Sequence, residues 1–184
     1  MVRRGGLVVF PTETVYGVAV HVHDAQAVER LYQLKGRPQD KQLTIHLWEV
    51  QQVESVAREV SPLARRVMAR FWPGPLTLVL PGRTTSTVGL RLPDHPVARQ
   101  FLALCQVPVA APSANRSGDP PPTDATSAIA ALGHGVDAVI DSGPTTYRGP
   151  STVLQILGEQ ARVLREGSIS VETLRAHGVP LSCG

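Results

Sequence analysis

Short apolar runs alternate with segments of helical periodicity along the whole chain, and this pattern limits the fold to a layered α/β arrangement. The run Leu7 to Phe10 is typical of a buried strand. After Asp24 comes a segment whose Val28, Leu31 and Tyr32 share one helical face. No segment repeats another. The pattern therefore predicts one α/β domain over residues 1–184.

Residues that favour helix ends mark the boundaries of these segments. Asp24 and Ser61-Pro62 are good helix starts, and Gly36 with Pro38 ends the first helix. The predicted helices follow Asp24, contain Val50 to Val60, and cover 62–71, 96–104, 124–132 and the segment between Ser170 and Gly178. The predicted strands are 7–10, 43–47, 76–80, 88–92, 109–111, 138–141, 151–157 and 161–165.

Composition excludes several classes of protein. The two cysteines, Cys105 and Cys183, lie far apart without metal-ligand spacing, which favours a reduced, cytoplasmic protein over a secreted one. No apolar run approaches membrane-spanning length, so we expect a soluble protein with no membrane partner. The formal net charge of +3 favours an anionic ligand, and 4% aromatic residues argue against a base-stacking single-strand binder.

The segment Pro11 to Gly17, P-T-E-T-V-Y-G, follows the first apolar run without a spacer. It places two hydroxyls, Thr12 and Thr14, a carboxylate and a phenol at the end of a strand, where α/β proteins often bind ligands. An ordinary turn with solvated threonines explains the segment equally well.

Alternation along two strands separates polar from apolar side chains. In Val88 to Leu92, Arg91 lies on the face opposite the aliphatic residues, so it needs a carboxylate or phosphate partner. A salt bridge to a nearby acid such as Asp94 is the alternative. In Leu43 to Leu47, Thr44 and His46 share the polar face, where a histidine is either structural or orients a ligand.

Two loops carry groups that suit an anion, although neither a P-loop nor a G-x-G-x-x-G fingerprint occurs. Lys35, Arg37 and Lys41 cluster around a helix end, where they form either a solvated surface or an anion site. Ser113 and Asn115 follow small residues that permit close approach of a ligand, or they form a simple turn.

Eight sequence blocks together resemble the YrdC family, and their order and spacing cover nearly the whole chain. These blocks are P-T-E-T-V-Y-G (11–17), K-G-R-P (35–38) with His46, W-P-G-P-L-T (72–77), L-R-L-P-D-H-P (90–96), A-A-P-S-A-N-R-S-G (110–118), D-S-G-P (141–144), S-T-V (151–153) and L-R-E-G (164–167).

The resemblance implies a twisted mixed sheet with helices and a large concave face, and a nucleotidyltransferase reaction. Members of the family include enzymes that join L-threonine, bicarbonate and ATP into threonylcarbamoyl-AMP and pyrophosphate. Mg²⁺ would be bound through the ATP phosphates, with no metal site of the protein's own. The product would pass to a downstream threonylcarbamoyl transferase complex that modifies tRNA.

The resemblance also implies roles for individual residues. Threonine would meet Thr14, His46, Arg91, the backbone of Ala111, and Ser151. ATP would meet Arg37, Lys41, Thr87, Ser113, the backbone near Pro121, and Arg165. The reaction centre would contain Lys35, Arg37, Ser113 and Asn115.

The sequence departs from the family pattern at Pro150, where an acid is frequent, and at Glu166, where a proline is frequent. We also expect the chain to lack the additional C-terminal domain with which some relatives cover the site. Two other functions remain open at this stage. The basic balance is compatible with an RNA-binding module without catalysis, and a paralogue could use another amine or carbamoyl donor.

Overall fold

The computed structural model describes residues 1–182, so Cys183 lies outside the described residues. Most helices and strands lie where the sequence predicts them, but the strand Gly17–His21 was not predicted. The helices are α1 (Ala25–Lys35), α2 (Val53–Val56), α3 (Pro62–Phe71), α4 (Pro96–Cys105), α5 (Ala125–Leu132) and α6 (Val171–Ala176). The strands are β1 (Val8–Phe10), β2 (Gly17–His21), β3 (Thr44–His46), β4 (Leu76–Pro81), β5 (Thr87–Arg91), β6 (Val109–Ala110), β7 (Ala138–Val139), β8 (Thr152–Leu157) and β9 (Gln160–Arg165).

The strands form one mixed sheet in the order β7-β1-β2-β6-β3-β5-β4-β8-β9. Three pairs are parallel (β1 with β7, β3 with β5, β4 with β8), and the other neighbouring pairs are antiparallel. The register places His46 directly beside Arg91. The mixed α/β fold is therefore confirmed, and the order brings residues distant in sequence to the centre of the sheet.

Local chemistry explains the helix ends. Asp24 accepts a hydrogen bond from the Ala27 amide at the start of α1, and Ser61 accepts one from the Ala64 amide at the start of α3. Helix α1 ends at Gly36, whose φ of 57° lies in the left-handed region that glycine adopts without strain. These ends fix Lys35 as the last residue of α1 and start the loop that carries Arg37 and Lys41.

The predicted helix through Val50 to Val60 is shorter than its apolar pattern indicates. A 3-10 turn (Val50–Gln52) and the four-residue α2 replace it, and Ala57 is already extended. The Arg58 amide donates to the Pro81 carbonyl and the Arg83 amide donates to the Val56 carbonyl. Pairing with the turn that follows β4 therefore overrides helical periodicity here.

Three apolar clusters hold the layers together. One, which includes Leu78, Leu90 and Leu154, lies around β4, β5 and β8, and the other two lie around the β1 and β2 end of the sheet. Among the described residues, no helix has both the length and the apolar composition needed to cross a bilayer.

Candidate active site

A cavity of about 460 Å³ lies where the central strands meet the loops after β1, α1 and β6. Its wall brings together most of the residues predicted for the site, from segments far apart in the chain. Those on the wall are Lys35, Arg37, Lys41, His46, Arg91, Ala111, Ser113, Asn115, Pro121, Ser151 and Arg165. Convergence of such groups in one cavity is the usual sign of a ligand site.

Two predicted residues do not line this cavity. Thr14 is fully buried and is hydrogen bonded to Thr12 and Arg91, both of which line the cavity. Thr87 opens β5, with its hydroxyl 3.5 Å from the Gln42 side-chain oxygen, next to Lys41. The structure thus places both residues behind or beside the wall.

Arg91 is buried and paired with Glu13 instead of Asp94. Its Nη2 lies 2.9 Å from Glu13 Oε1 and 2.6 Å from Thr14 Oγ1, and the two charged side chains are 5% and 4% exposed. The Asp94 alternative fails because the segment after β1 reaches Arg91 across the sheet. Within residues 1–182, Nε and Nη1 have no hydrogen-bond partner. Arg91 also lines the cavity, so it keeps unused donors that a ligand carboxylate could engage.

A chain of hydroxyl groups fixes the direction of the hydrogen bonds behind Arg91. Thr12 donates its hydroxyl proton to the Val15 carbonyl at 2.7 Å, so in its 3.0 Å contact with Thr14 it acts as the acceptor. The Thr14 oxygen is then free to accept from Arg91. Thr12, Glu13 and Thr14 therefore hold the guanidinium in one orientation.

His46 is buried beside Arg91, and burial together with the Arg91 charge lowers the pKa of His46 to about 3. Its Nδ1 lies 3.4 Å from the Thr44 carbonyl, and its ring meets Phe10 edge to face at 6.0 Å. The imidazole is consequently neutral at physiological pH. It can orient a ligand by hydrogen bonding, but it does not carry a charge there.

Neutral burial of His46 predicts acid sensitivity of the fold. Between pH 6.5 and about 3 the unfolded chain protonates this histidine and the folded protein does not, so stability is lost as pH falls through that window. We expect the His46→Gln variant to lack this contribution, with the free energy of unfolding falling less steeply by about 1.4 kcal/mol per pH unit. Urea unfolding of both proteins at pH 6.5, 5.5 and 4.5 measures the difference. Parallel curves would contradict a neutral, buried His46.

Lys35 connects the end of α1 to the loop after β6. Its Nζ donates to the Ser113 carbonyl at 2.5 Å and also to the Asn115 carbonyl, while the Lys35 carbonyl accepts from the Ser117 amide at 2.8 Å. Burial and the nearby Arg37 charge lower the pKa of Lys35 from 10.5 to about 8. Lys35 therefore supports the loop that presents Ser113 and Asn115, and it is still largely charged near pH 7.

Arg37 shapes its own loop. Its Nε donates to the Lys41 carbonyl at 3.2 Å and its Nη2 to the Gln42 carbonyl at 2.8 Å. The guanidinium is thereby held at the cavity wall beside Lys35 and Lys41. Hydrogen bonds to backbone carbonyls hold the Arg37 and Lys35 side chains in place, so these two residues are not freely solvated charges.

Thr77 belongs to the site although we did not single it out from the sequence. Its hydroxyl lies 2.9 Å from the Ser151 hydroxyl, and Arg165 Nη2 donates to the Ser151 carbonyl at 2.8 Å. The signal was available, because Thr77 alternates with Leu76 and Leu78 along β4 in the same way as Arg91 does along β5. Ser117 and Asp119 were also missed, since a loop has no periodicity to reveal which side chains face a ligand.

The charges on the wall are strongly asymmetric. Lys35, Arg37, Lys41, Arg91 and Arg165 are cationic, whereas Asp119 is the one acid that residues 1–182 contribute to the wall. Residues 1–182 contain no group of three or more His, Cys, Asp or Glu side chains arranged to hold a metal ion. Such a wall suits a polyanion beside a smaller carboxylate, with hydroxyls available to orient both.

A second cavity of about 510 Å³ lies elsewhere, between α3 and the segment near Glu49. Its wall is mainly apolar, with Met68, Trp72 and Leu92, and it shares no residue with the cationic cavity. None of the residues predicted for the site lines it. The cationic cavity is therefore the candidate active site.

Comparison with known proteins gives consistent matches. The Sua5_yciO_yrdC family, described as "Telomere recombination", matches residues 1–167. The chain is 39% identical over 186 residues to "Threonylcarbamoyl-AMP synthase" of Bacillus subtilis (strain 168), covering 96% of this chain and 54% of the relative. It is 35% identical over 160 residues to the protein of that name from Chromohalobacter salexigens, covering 82% of this chain and 86% of the relative.

A solved structure described as "Crystal structure of P. abyssi Sua5 complexed with L-threonine" superposes with a TM-score of 0.92 and 38% identity. The match covers 98% of this chain and 56% of that one. The chain thus spans about half the length of the Bacillus and Pyrococcus relatives.

Proposed function

The chain belongs to the Sua5_yciO_yrdC family, and on this premise we propose that it forms threonylcarbamoyl-AMP and pyrophosphate from L-threonine, bicarbonate and ATP. One observation carries the proposal. A buried guanidinium with free donors, Arg91, shares a cavity with the cationic cluster of Lys35, Arg37 and Lys41. An amino-acid carboxylate and a triphosphate are the two anions that such a cavity would hold side by side.

Threonine binds at the Arg91 end of the cavity in this proposal. Its carboxylate pairs with Arg91, which the ion pair to Glu13 holds in place, and its hydroxyl and amine lie near His46, Ser151 and the Ala111 backbone. The threonine complex of the Pyrococcus abyssi relative supports the choice of amino acid.

ATP lies toward the other end. Arg37, Lys41 and Arg165 face the phosphates, Ser113 and Asn115 lie near the α-phosphate, and the nucleoside extends toward Pro121. The scattered cations take the place of a P-loop, and Thr87 acts indirectly, through its contact with Gln42, the residue after Lys41. The cofactor Mg²⁺ would accompany the phosphates and neutralise part of their charge.

The reaction needs a neutral amine, because an ammonium has no lone pair to attack carbon dioxide. The environment that lowers the pKa of His46, namely burial and the Arg91 charge, also disfavours an ammonium bound beside it. Bicarbonate loses hydroxide to give carbon dioxide, and the amine nitrogen bonds to the carbon of that molecule. The proton that the nitrogen releases combines with the hydroxide to form water, which leaves a carbamate. A carbamate oxygen attacks the α-phosphorus, and the bond to the leaving pyrophosphate breaks.

Catalysis then depends on positioning and charge stabilisation, without a covalent intermediate on the protein. In this proposal Arg37 and Lys35, which line the cavity, stabilise the negative charge that accumulates as pyrophosphate departs, and the Ser113 hydroxyl donates to the α-phosphate. The labile product would be passed to a threonylcarbamoyl transferase that modifies tRNA.

Mass spectrometry of the reaction products tests the function directly. The protein is incubated with ATP, Mg²⁺, bicarbonate and each amino acid in turn, and we expect threonylcarbamoyl-AMP and pyrophosphate with threonine alone. The Arg91→Met, Glu13→Gln double variant is the negative control. An adenylate formed with another amine would point to a different donor. Salt-sensitive binding of structured RNA without any threonine-dependent ATP consumption would contradict the proposal.

A further inference from the structure

The segment Asn115 to Asp119 contributes three residues to the cavity wall, and each has a side-chain oxygen without a protein partner in residues 1–182. Asn115, Ser117 and Asp119 all line the cavity. Asn115 is 6% exposed, and its Oδ1 and the Ser117 hydroxyl are buried with no hydrogen-bond partner in residues 1–182. Asp119 is exposed, and its carboxylate forms no hydrogen bond or ion pair with the described part of the chain.

Hydrogen bonds hold this segment in place without using those oxygens. The Asn115 side-chain amide donates to the Arg116 carbonyl at 2.8 Å and to the Asp119 carbonyl at 2.7 Å, so Oδ1 is the atom left over. The Lys35 ammonium is engaged with the backbone carbonyls of Ser113 and Asn115. A buried acceptor without a donor costs about 1–3 kcal/mol, which a bound ligand would offset.

The chemistry of the three groups favours a hard cation. Carboxylate, amide and hydroxyl oxygens are ligands that Mg²⁺ accepts, and it commonly takes one or two carboxylates together with substrate phosphates. Asp119 is also the one acid that the described residues place on a wall that is otherwise cationic. A bare carboxylate there would repel a triphosphate, whereas a divalent ion between them would attract both.

We infer that the segment Asn115 to Asp119, with Asp119 as its charged member, holds the divalent cation that enters with the nucleoside triphosphate. This inference rests on the proposed function, which supplies the triphosphate. The charges of Lys35 and Arg37 on the same wall oppose a free cation. The ion therefore binds well only when the phosphates complete its coordination.

Calorimetric titration of a non-hydrolysable ATP analogue, with Mg²⁺ and with EDTA, tests the inference on the Asp119→Asn variant. In EDTA the variant is expected to bind the analogue as tightly as the wild type or up to a fewfold more tightly, because a repelling charge has been removed. With Mg²⁺ it is expected to bind about tenfold more weakly, because a metal ligand has been lost. The sign of the change therefore reverses with the metal.

Asp40→Asn is the matched control, since Asp40 is exposed next to Lys41 and does not line the cavity. It should leave both affinities within about twofold. Weaker binding of Asp119→Asn in both buffers would indicate that Asp119 contacts the nucleoside. Tighter or unchanged binding in both would indicate that Asp119 contributes only its negative charge to the wall. Either result overturns the inference. Absence of threonylcarbamoyl-AMP from the wild type is a separate result that contradicts the proposed function alone.

Discussion

The double variant Arg91→Met, Glu13→Gln is expected to fold and to bind threonine about 10²-fold or more weakly than the wild type. Both charges of the buried pair are removed together and side-chain volume is kept, which leaves no uncompensated ion in the interior. Losing a desolvated, hydrogen-bonded charge contact to a ligand costs about 2–5 kcal/mol, hence the expected loss in affinity. Calorimetric titration with L-threonine measures it.

The single variants separate folding from binding. Arg91→Met alone leaves Glu13 buried without a partner and should lower the free energy of unfolding by about 3–5 kcal/mol. The matched control is Arg99→Met, because Arg99 is exposed and lies outside this cavity. Affinity of the double variant for the ATP analogue should stay within about threefold. Wild-type threonine affinity in the double variant would remove Arg91 from the site.

The Arg91 guanidinium is held by the protein through one nitrogen and keeps its other donors for a ligand. Nη2 is engaged by Glu13 and Thr14. Within residues 1–182, Nη1 forms no hydrogen bond, and Nε is buried without a partner. A long side chain loses much rotamer freedom when it becomes ordered, and here the folded protein has already ordered it. A ligand carboxylate would therefore meet a donor that is fixed before binding.

Local sequence rules predicted much of the fold because they depend on neighbouring residues. Asp24, Ser61 and Ser170 begin helices as expected, and alternation correctly placed Arg91 and His46 on the polar side of their strands. The same rules failed for Val50 to Val60, where the chain leaves the helix to pair with the turn after β4. Periodicity contains no information about a partner elsewhere in the chain.

The candidate site, like the fold, could be predicted from the sequence only in part. Its individual cations and hydroxyls could be identified from motifs, but the partner of Arg91 could not. Glu13 lies 78 residues away, and three strands separate β1 from β5 in the sheet, so the segment after β1 reaches Arg91 only by extending across the sheet. Local reasoning favoured Asp94, three positions from Arg91. Predicting the Glu13 contact requires the strand order, which no local pattern specifies.

Ser113→Ala is expected to lower the rate of adenylate formation by about 10²-fold without changing stability. The Ser113 hydroxyl forms no hydrogen bond with the described residues, and the Lys35 contact uses the Ser113 carbonyl, which alanine retains. Unfolding free energy should thus stay within about 0.5 kcal/mol of the wild type. A donor that meets charge developing in the transition state commonly contributes a factor of about 10²–10³. Pyrophosphate release under saturating threonine and ATP measures the rate.

Arg37→Ala should lower the same rate by about 10²–10³-fold, and Arg37→Lys should restore only part of it. Lysine keeps the charge, but its single ammonium does not reproduce the paired contacts to the Lys41 and Gln42 carbonyls that fix the guanidinium. Arg116→Ala is the matched control, since Arg116 is exposed beside Asn115 and does not line the cavity. If Arg37→Ala and Ser113→Ala were both as fast as Arg116→Ala while correctly folded, the reaction centre would have to lie elsewhere on the wall. If only Arg37→Lys were fully active, charge without orientation would suffice at that position.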